Sequence, residues 1–274
     1  MRGHVLWASA PEFAYTEEVE PATPEQRVHA MYSILAQAWG RQHWWPARTS
    51  FEVAVGAFLT QNTSWTNVEI ALRQLRSARV LSLAGIRNVP IRRLERLVRS
   101  SGYFRQKARR LKKFVKFVDQ CYGGSLRKMF EQPTGKLREE LLALEGVGPE
   151  TADSILLYAG QHPVFVVDAY TRRISERHGL LHARANYEEF RALFERGLSK
   201  DVPATTAAIR SSGAASHLPS PMSLAKRSPL AQVFNDMHGL IVGVGKQYCL
   251  KSKLQCEQCP LKPLLPGSRT IADL

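Results

Sequence analysis

The chain has 274 residues, 44% of them hydrophobic, enough for a full core in one large or two small domains. Its 38 Lys and Arg against 24 Asp and Glu give a net charge of +14, which argues for a polyanionic partner, although ribosomal, membrane-surface and merely basic proteins share that excess. No apolar run reaches membrane-spanning length and the stretch between Arg2 and Ala8-Ser9-Ala10 is too short for a signal peptide, so we expect an intracellular protein whose four cysteines are not structural disulfides.

Residues 1–24 contain Pro and Glu without a sustained period and read as a tail. Val28 to Trp39 reads as a helix, followed by Trp44-Trp45-Pro46. Two adjacent tryptophans cannot both face one core along a regular element. Either one of them lines a cleft or both sit in a packed loop. Phe51 to Thr63 is apolar nearly all round and predicts a buried helix ending in Gln61-Asn62-Thr63, with Trp65 directly after it. Asn67 to Ser77 places Val68, Ala71, Leu72 and Leu75 on one helical face.

From Ile91 to Phe117 apolar residues interleave with cations. Arg92, Arg93, Arg96 and Arg99 belong to a first amphipathic helix. Seven cations without an acid between Arg105 and Lys116 belong to a second. Such faces are usually just solvated, but uncompensated repulsion on this scale makes phosphate contact the better reading for some of them. Between the two helices runs Ser101 to Ala108, with Tyr103 near its start.

The centre of the chain is Leu144 to Asp168. Gly135 to Leu144 carries Leu137, Leu141, Leu142 and Leu144 at helical spacing. Gly146-Val147-Gly148 makes a tight turn, and Pro149 suits a first helical position. Glycines in such a hairpin let a partner approach the backbone and leave helix-terminal N–H groups open, a natural seat for phosphate. Asp168 ends the apolar run Val164 to Val167, where an N-cap is its ordinary role, and Ala169 to His178 is helix-like. Asn186 and Glu189 form a capping-box pattern for Tyr187 to Leu198. Residues 199–228 are Ala-, Ser- and Pro-rich and read as a flexible insertion. Ser228-Pro229 opens a last helix in which His238, alone on an apolar face, reads as a satisfied core residue.

A two-glycine hairpin between helices followed by an aspartate, in so basic a chain, resembles the helix-hairpin-helix DNA glycosylases of the endonuclease III-like (HhH-GPD) superfamily, from about Trp44 to Cys259. The resemblance implies an all-α, two-lobed fold with a basic DNA-binding cleft. One lobe is a helical bundle holding the hairpin, and the other joins the N-terminal helix to the segments after Asp168. It implies a glycosylase domain over 25–248, interrupted at 199–228, and a cysteine loop over 249–265. The expected partner is double-stranded DNA carrying a damaged base, bound by a monomer with no membrane association.

Several residues inherit roles from this resemblance. Gln61 matches the side chain that enters the gap left by an extruded nucleotide, and Tyr103 the intercalating residue of the wedge loop. Lys107, Gly146, Val147, Gly148 and Thr151 complete the implied DNA contacts. Asp168 matches the carboxylate that stabilises an oxocarbenium-like sugar and orients water. Where relatives that also cut the backbone carry a Schiff-base lysine, this chain has Glu150, so a monofunctional enzyme is expected. Glu150 either positions water or is simply a first-turn acid favoured by the helix dipole.

Trp44, Trp45, Pro46 and Trp65 match the base pocket of the 3-methyladenine glycosylase branch, where aromatic faces attract a cationic purine. Alternatives are an endonuclease III-type glycosylase/lyase on oxidised pyrimidines, a uracil or mismatch glycosylase, and a hairpin protein that only binds DNA. Cys249, Cys256 and Cys259 match three ligands of the family's [4Fe-4S] loop, but the fourth position is Leu265, and leucine cannot replace a thiolate. Either the loop packs without metal, the reading favoured here, or three thiolates and a foreign ligand hold a cluster.

Overall fold

A computed structural model describes residues 23–182, 184–199 and 217–266. In chain order the helices are α1 (Pro24–Trp39), α2 (Ser50–Thr60), α3 (Trp65–Ser77), α4 (Leu83–Asn88), α5 (Ile91–Leu97) and α6 (Phe104–Tyr122). They continue as α7 (Leu126–Phe130), α8 (Thr134–Leu142), α9 (Pro149–Ser154, prolonged by a π-turn over Ile155–Ala159), α10 (Ala169–Arg177), α11 (Tyr187–Ser199) and α12 (Pro229–Gln247). Among the described residues there is no β-strand, only an isolated bridge between Cys249 and Leu254. The fold is all-α. No described helix is long and apolar enough to cross a membrane.

The chain divides into two compact units, one formed by residues 1–46 and 163–274 and the other by 47–162. In the second unit α2 is the central rod. Every residue from Phe51 to Leu59 is buried, because this segment has an apolar side chain, a glycine or the ion-paired Glu52 at each position. Helix α6 turns Ala108, Leu111, Phe114, Val115 and Val118 inward, and Phe58 meets Phe114 with ring centroids 5.3 Å apart. Each large apolar side chain so buried contributes about 1.5–3 kcal/mol. The hairpin helices α8 and α9 are clamped by Arg138, which forms a two-pronged bond to the fully buried Asp153 at 2.7 and 3.1 Å.

In the first unit α1 begins at Pro24, four residues before the expected start at Val28. Thr23 and Gln26 form a capping box there, so Thr23 and Pro24 belong to the helix and not to a tail. Residues 1–22 lie outside the described residues, as does most of the 199–228 insertion. Helices α10, α11 and α12 pack with α1 around the run Val164 to Val167, which is buried yet in no regular element. Its amides must still be satisfied. The Phe165 N–H donates to Glu195 Oε1 (3.0 Å) and the Val167 N–H to the Tyr187 hydroxyl (3.2 Å), both on α11. Phe165 stacks on Phe194 at 4.6 Å. These contacts fix where the run ends, and it ends at Asp168.

Candidate functional site

In the second unit the hairpin is built as the spacing suggests. Gly146 has φ +78°, and a Cβ there would lie 2.0 Å from the Arg110 side chain, so only glycine fits. Gly146 and Gly148 are exposed while Val147 is buried beneath them. Gly148 is the N-cap of α9 and has no side chain to accept the first-turn N–H groups. Glu150 stands exposed in that first turn.

Gln61, just past the end of α2, is locked to this turn. Its Nε2 donates to the Gly146 carbonyl and to Thr151 Oγ1, both at 2.9 Å, and its Oε1 accepts from Arg110 at 2.6 Å. Gln61, Gly146 and Thr151 are thus brought together. The Gln61 amide is occupied with the hairpin in this conformation rather than projecting for a duplex.

Tyr103 is 66% exposed, with φ +44° at the N-terminus of α6, so the left-handed turn after Gly102 throws its ring outward. Lys107 is a correction. It is only 1% exposed, and its ammonium donates to the carbonyls of Leu59 (2.9 Å) and Ser101. Burial lowers its pKa to about 8, with the Arg110 charge adding to the shift. The ammonium therefore ties the turn at Ser101 to α2 and is not placed to reach a phosphate. Of the other α6 cations, Arg105, Arg109 and Lys116 are exposed, Lys112 bonds the Arg87 and Val89 carbonyls, and Lys113 pairs with Glu145. Arg92, Arg93, Arg96 and Arg99 are all exposed.

In the first unit Asp168 is the N-cap of α10. Its Oδ1 accepts from the Thr171 N–H (2.8 Å) and hydroxyl (3.0 Å), completing a capping box. Its Oδ2 stands 3.6 Å from Nε2 of His238 on α12. The carboxylate is therefore divided, one oxygen structural and the other toward the histidine. Burial alone raises the Asp168 carboxyl, but the charge of His238 and the Thr171 donors outweigh it and hold the group below the ordinary aspartate range. Sequence reasoning passes over His238 as a lone core histidine because nothing in its own helix announces the partner.

Both tryptophans are buried, Trp44 at 6% and Trp45 at 5% exposure, which matches the packed loop, the second of the two arrangements open to adjacent tryptophans. The peptide between them is cis. Trp44 meets Trp45 edge-on at 5.5 Å and lies 6.2 Å from His238 and 5.3 Å from His217, with the Lys246 ammonium 5.8 Å from its centroid. Ser220 donates weakly to the Trp45 carbonyl at 3.4 Å, so the described end of the insertion covers the pair. Gly239 on α12 lets Trp44 come this close, since a Cβ there would sit 3.0 Å from that of Trp44. The Gly239-x3-Gly243-x-Gly245 pattern is the available sequence signal. Pro46 is half-buried beside the pair, whereas Trp65 belongs to the other unit, where its indole N–H donates to Glu69 at 2.8 Å.

The cysteine loop lies against α10. Arg177 donates to Cys249 Sγ at 3.0 Å and to the Leu250 carbonyl, and Arg173 donates to the Cys249 carbonyl. Burial, with Cys249 and Cys256 nearby, pushes the Cys259 thiol up to about 11. Leu265 occupies the fourth position, and among the described residues no group of three or more His, Cys, Asp or Glu is disposed to hold a metal ion. The residues present do not fit a four-thiolate cluster.

An exposed two-glycine hairpin and an ionised aspartate capping a helix in an all-α chain define a class. Residues 55–200 match the HhH-GPD superfamily of base excision DNA repair proteins, and the chain belongs to it as a DNA repair glycosylase. It is 39% identical over 238 residues to a candidate DNA repair glycosylase of Methanocaldococcus jannaschii, covering 86% of this chain and 94% of that one. It is 27% identical to endonuclease III of Thermotoga maritima, over 77% of this chain and 80% of that one. Among solved structures it is similar to H. pylori 3-methyladenine DNA glycosylase (MagIII) bound to 1,N6-ethenoadenine, with TM-score 0.67, 28% identity, 82% of this chain and 98% of that one. An endonuclease III–DNA complex shares the fold at TM-score 0.62 and 22% identity, over 88% of this chain and 94% of that one.

Proposed function

We propose that the protein is a monofunctional glycosylase that extrudes an alkylated purine, such as 3-methyladenine, from duplex DNA and hydrolyses its N-glycosidic bond. The observation that carries this reading is the divided carboxylate of Asp168, held ionised with Oδ2 not used by the helix cap. As the glycosidic bond breaks, positive charge develops on the sugar, and a fixed carboxylate stabilises it and orients the incoming water. The electron pair of the bond leaves with the base, water supplies the new C–O bond, and its proton is released. Gly146, Val147, Gly148 and Thr151 offer the hairpin to a phosphate, with Gln61 and Arg110 holding the turn in shape, and Tyr103 stacks in the duplex.

Glu150 cannot form a Schiff base, which favours hydrolysis without strand cleavage. The similarity to MagIII and the residues Trp44, Trp45 and Pro46 favour an alkylated purine. Such a base is cationic, and Trp44 already attracts the Lys246 ammonium. In this reading the base takes the place of the His217 ring against Trp44. The test is release of free base from duplexes carrying 3-methyladenine, uracil, a T:G mismatch or thymine glycol, each scored for strand breaks before and after alkali. Methyladenine release with breaks only after alkali supports the proposal. Breaks without alkali, trapped by borohydride, would transfer the protein to the endonuclease III type.

A further inference from the structure

His238 is 4% exposed. Asp168 Oδ2 lies 3.6 Å from Nε2, Trp44 tilts over the ring at 6.2 Å, and Phe165 meets it edge-on at 6.3 Å. The other titratable or charged groups of this neighbourhood stand one contact away. Tyr170 feels Asp168 and carries Arg173 over its ring, and His217 and Lys246 face Trp44. His238 therefore sets its imidazole 3.6 Å from Oδ2 of Asp168, while Oδ1 is held by Thr171.

Burying a lone carboxylate is costly, and a carboxyl in that position takes up a proton instead. A protonated Asp168 would keep its cap through Oδ1 yet lose the charge needed opposite an oxocarbenium ion. The imidazole sits where it opposes that protonation, on the one oxygen the cap does not use. We propose that His238 is a positioning residue, which stands against Oδ2 of Asp168, keeps the carboxylate charged, and so sets the acid limit of base release. This rests on the assignment of Asp168 as the charge-bearing residue of the reaction.

The test is the pH profile of single-turnover base release from methylated duplex DNA, measured for the unaltered protein, His238→Gln and His238→Phe. The expected result is an acid limb moved up by roughly one pH unit or more in both variants, with duplex affinity unchanged. At a pH well above the limb their rates approach that of the unaltered enzyme, whereas within the limb they fall about tenfold for every pH unit by which the limb has moved. A merely structural role would scale the rate equally at every pH and leave the midpoint in place, which would overturn the proposal. If the His238 variants do not fold, the coupling is read from the other side. Asp168→Asn keeps the cap, and in that variant the His238 ring, followed by NMR, must titrate at lower pH than in the unaltered protein. An unchanged His238 titration overturns the proposal. Base release by Asp168→Asn at an undiminished rate sinks the assignment of Asp168 itself, while the NMR titration still decides whether the pair exists.

Discussion

The N-termini of α9 and α10 both follow an irregular segment, and both present the unpaired N–H groups that every helix start leaves over. At α9 the cap is Gly148, the turn is exposed, and the cap has no side chain to accept a first-turn amide. At α10 the cap is Asp168, whose Oδ1 takes the Thr171 amide, and the surroundings are the buried run Val164 to Val167 and His238. The first arrangement attracts external negative charge, and the second stores an internal one. Glu150 sits exposed in the first turn of the open end. Local helix chemistry is the same at both ends. Burial decides which end stays open to solvent and which is packed against neighbouring side chains.

Removing the stored charge has the largest expected effect. Asp168→Asn retains an excellent N-cap residue, so the helix should persist while base release falls about 10²–10³-fold and duplex affinity stays within a few-fold, read by single-turnover assay and fluorescence anisotropy. The same variant sharpens the electrostatic account. Because the Asp168 carboxyl is held below its ordinary range, it contributes stability that is present above the unfolded carboxylate range and is lost as pH falls through the native value. Asp168→Asn should lack that acid-side slope in thermal melts across pH.

Next in size is the clamp beneath the open end. Arg138→Ala leaves Asp153 buried without its guanidinium, a loss on the order of 3–5 kcal/mol, visible as a lowered Tm together with weakened DNA binding. Gly146→Val acts on the turn alone. It forces a β-branched residue to φ +78° and into Arg110, at roughly 1–3 kcal/mol of strain, so duplex affinity should drop about tenfold with the Asp168 pair untouched. The smallest effect belongs to Glu150→Gln. If Glu150 only favours the helix dipole, base release changes by less than about twofold; a loss comparable to that of Asp168→Asn would place a second working carboxylate at the open end.

Much of the molecule is legible in the chain itself. The buried rod α2, the two-glycine turn, Pro149 as a first helical residue, and the caps at Asn186 and Ser228 are local patterns, and each forms where its spacing places it. Helix lengths agree to within a few residues, except that α1 starts at the Thr23 cap and α6 already begins at Phe104. Asp168 can be singled out because an aspartate at this distance behind a glycine hairpin is a rare combination. These features depend on hydrogen bonds and side-chain spacing within a few residues, which a sequence displays directly.

Tertiary structure alone decided the rest. Lys107 reads as one more cation on a basic helix, yet two carbonyls from separate segments draw its ammonium inside. Gln61 reads as a free polar end of a helix, yet it is held by residues 85 and 90 positions away. The Trp44–Trp45 pair is closed over by Gly239, His217 and Ser220, none of them its sequence neighbours. His238 meets Asp168 across 70 residues of chain. Local pattern determined which elements exist and where charge and glycine fall. Packing determined which charges are desolvated and paired, because burial and long-range contact are properties of the folded core and have no period in the sequence.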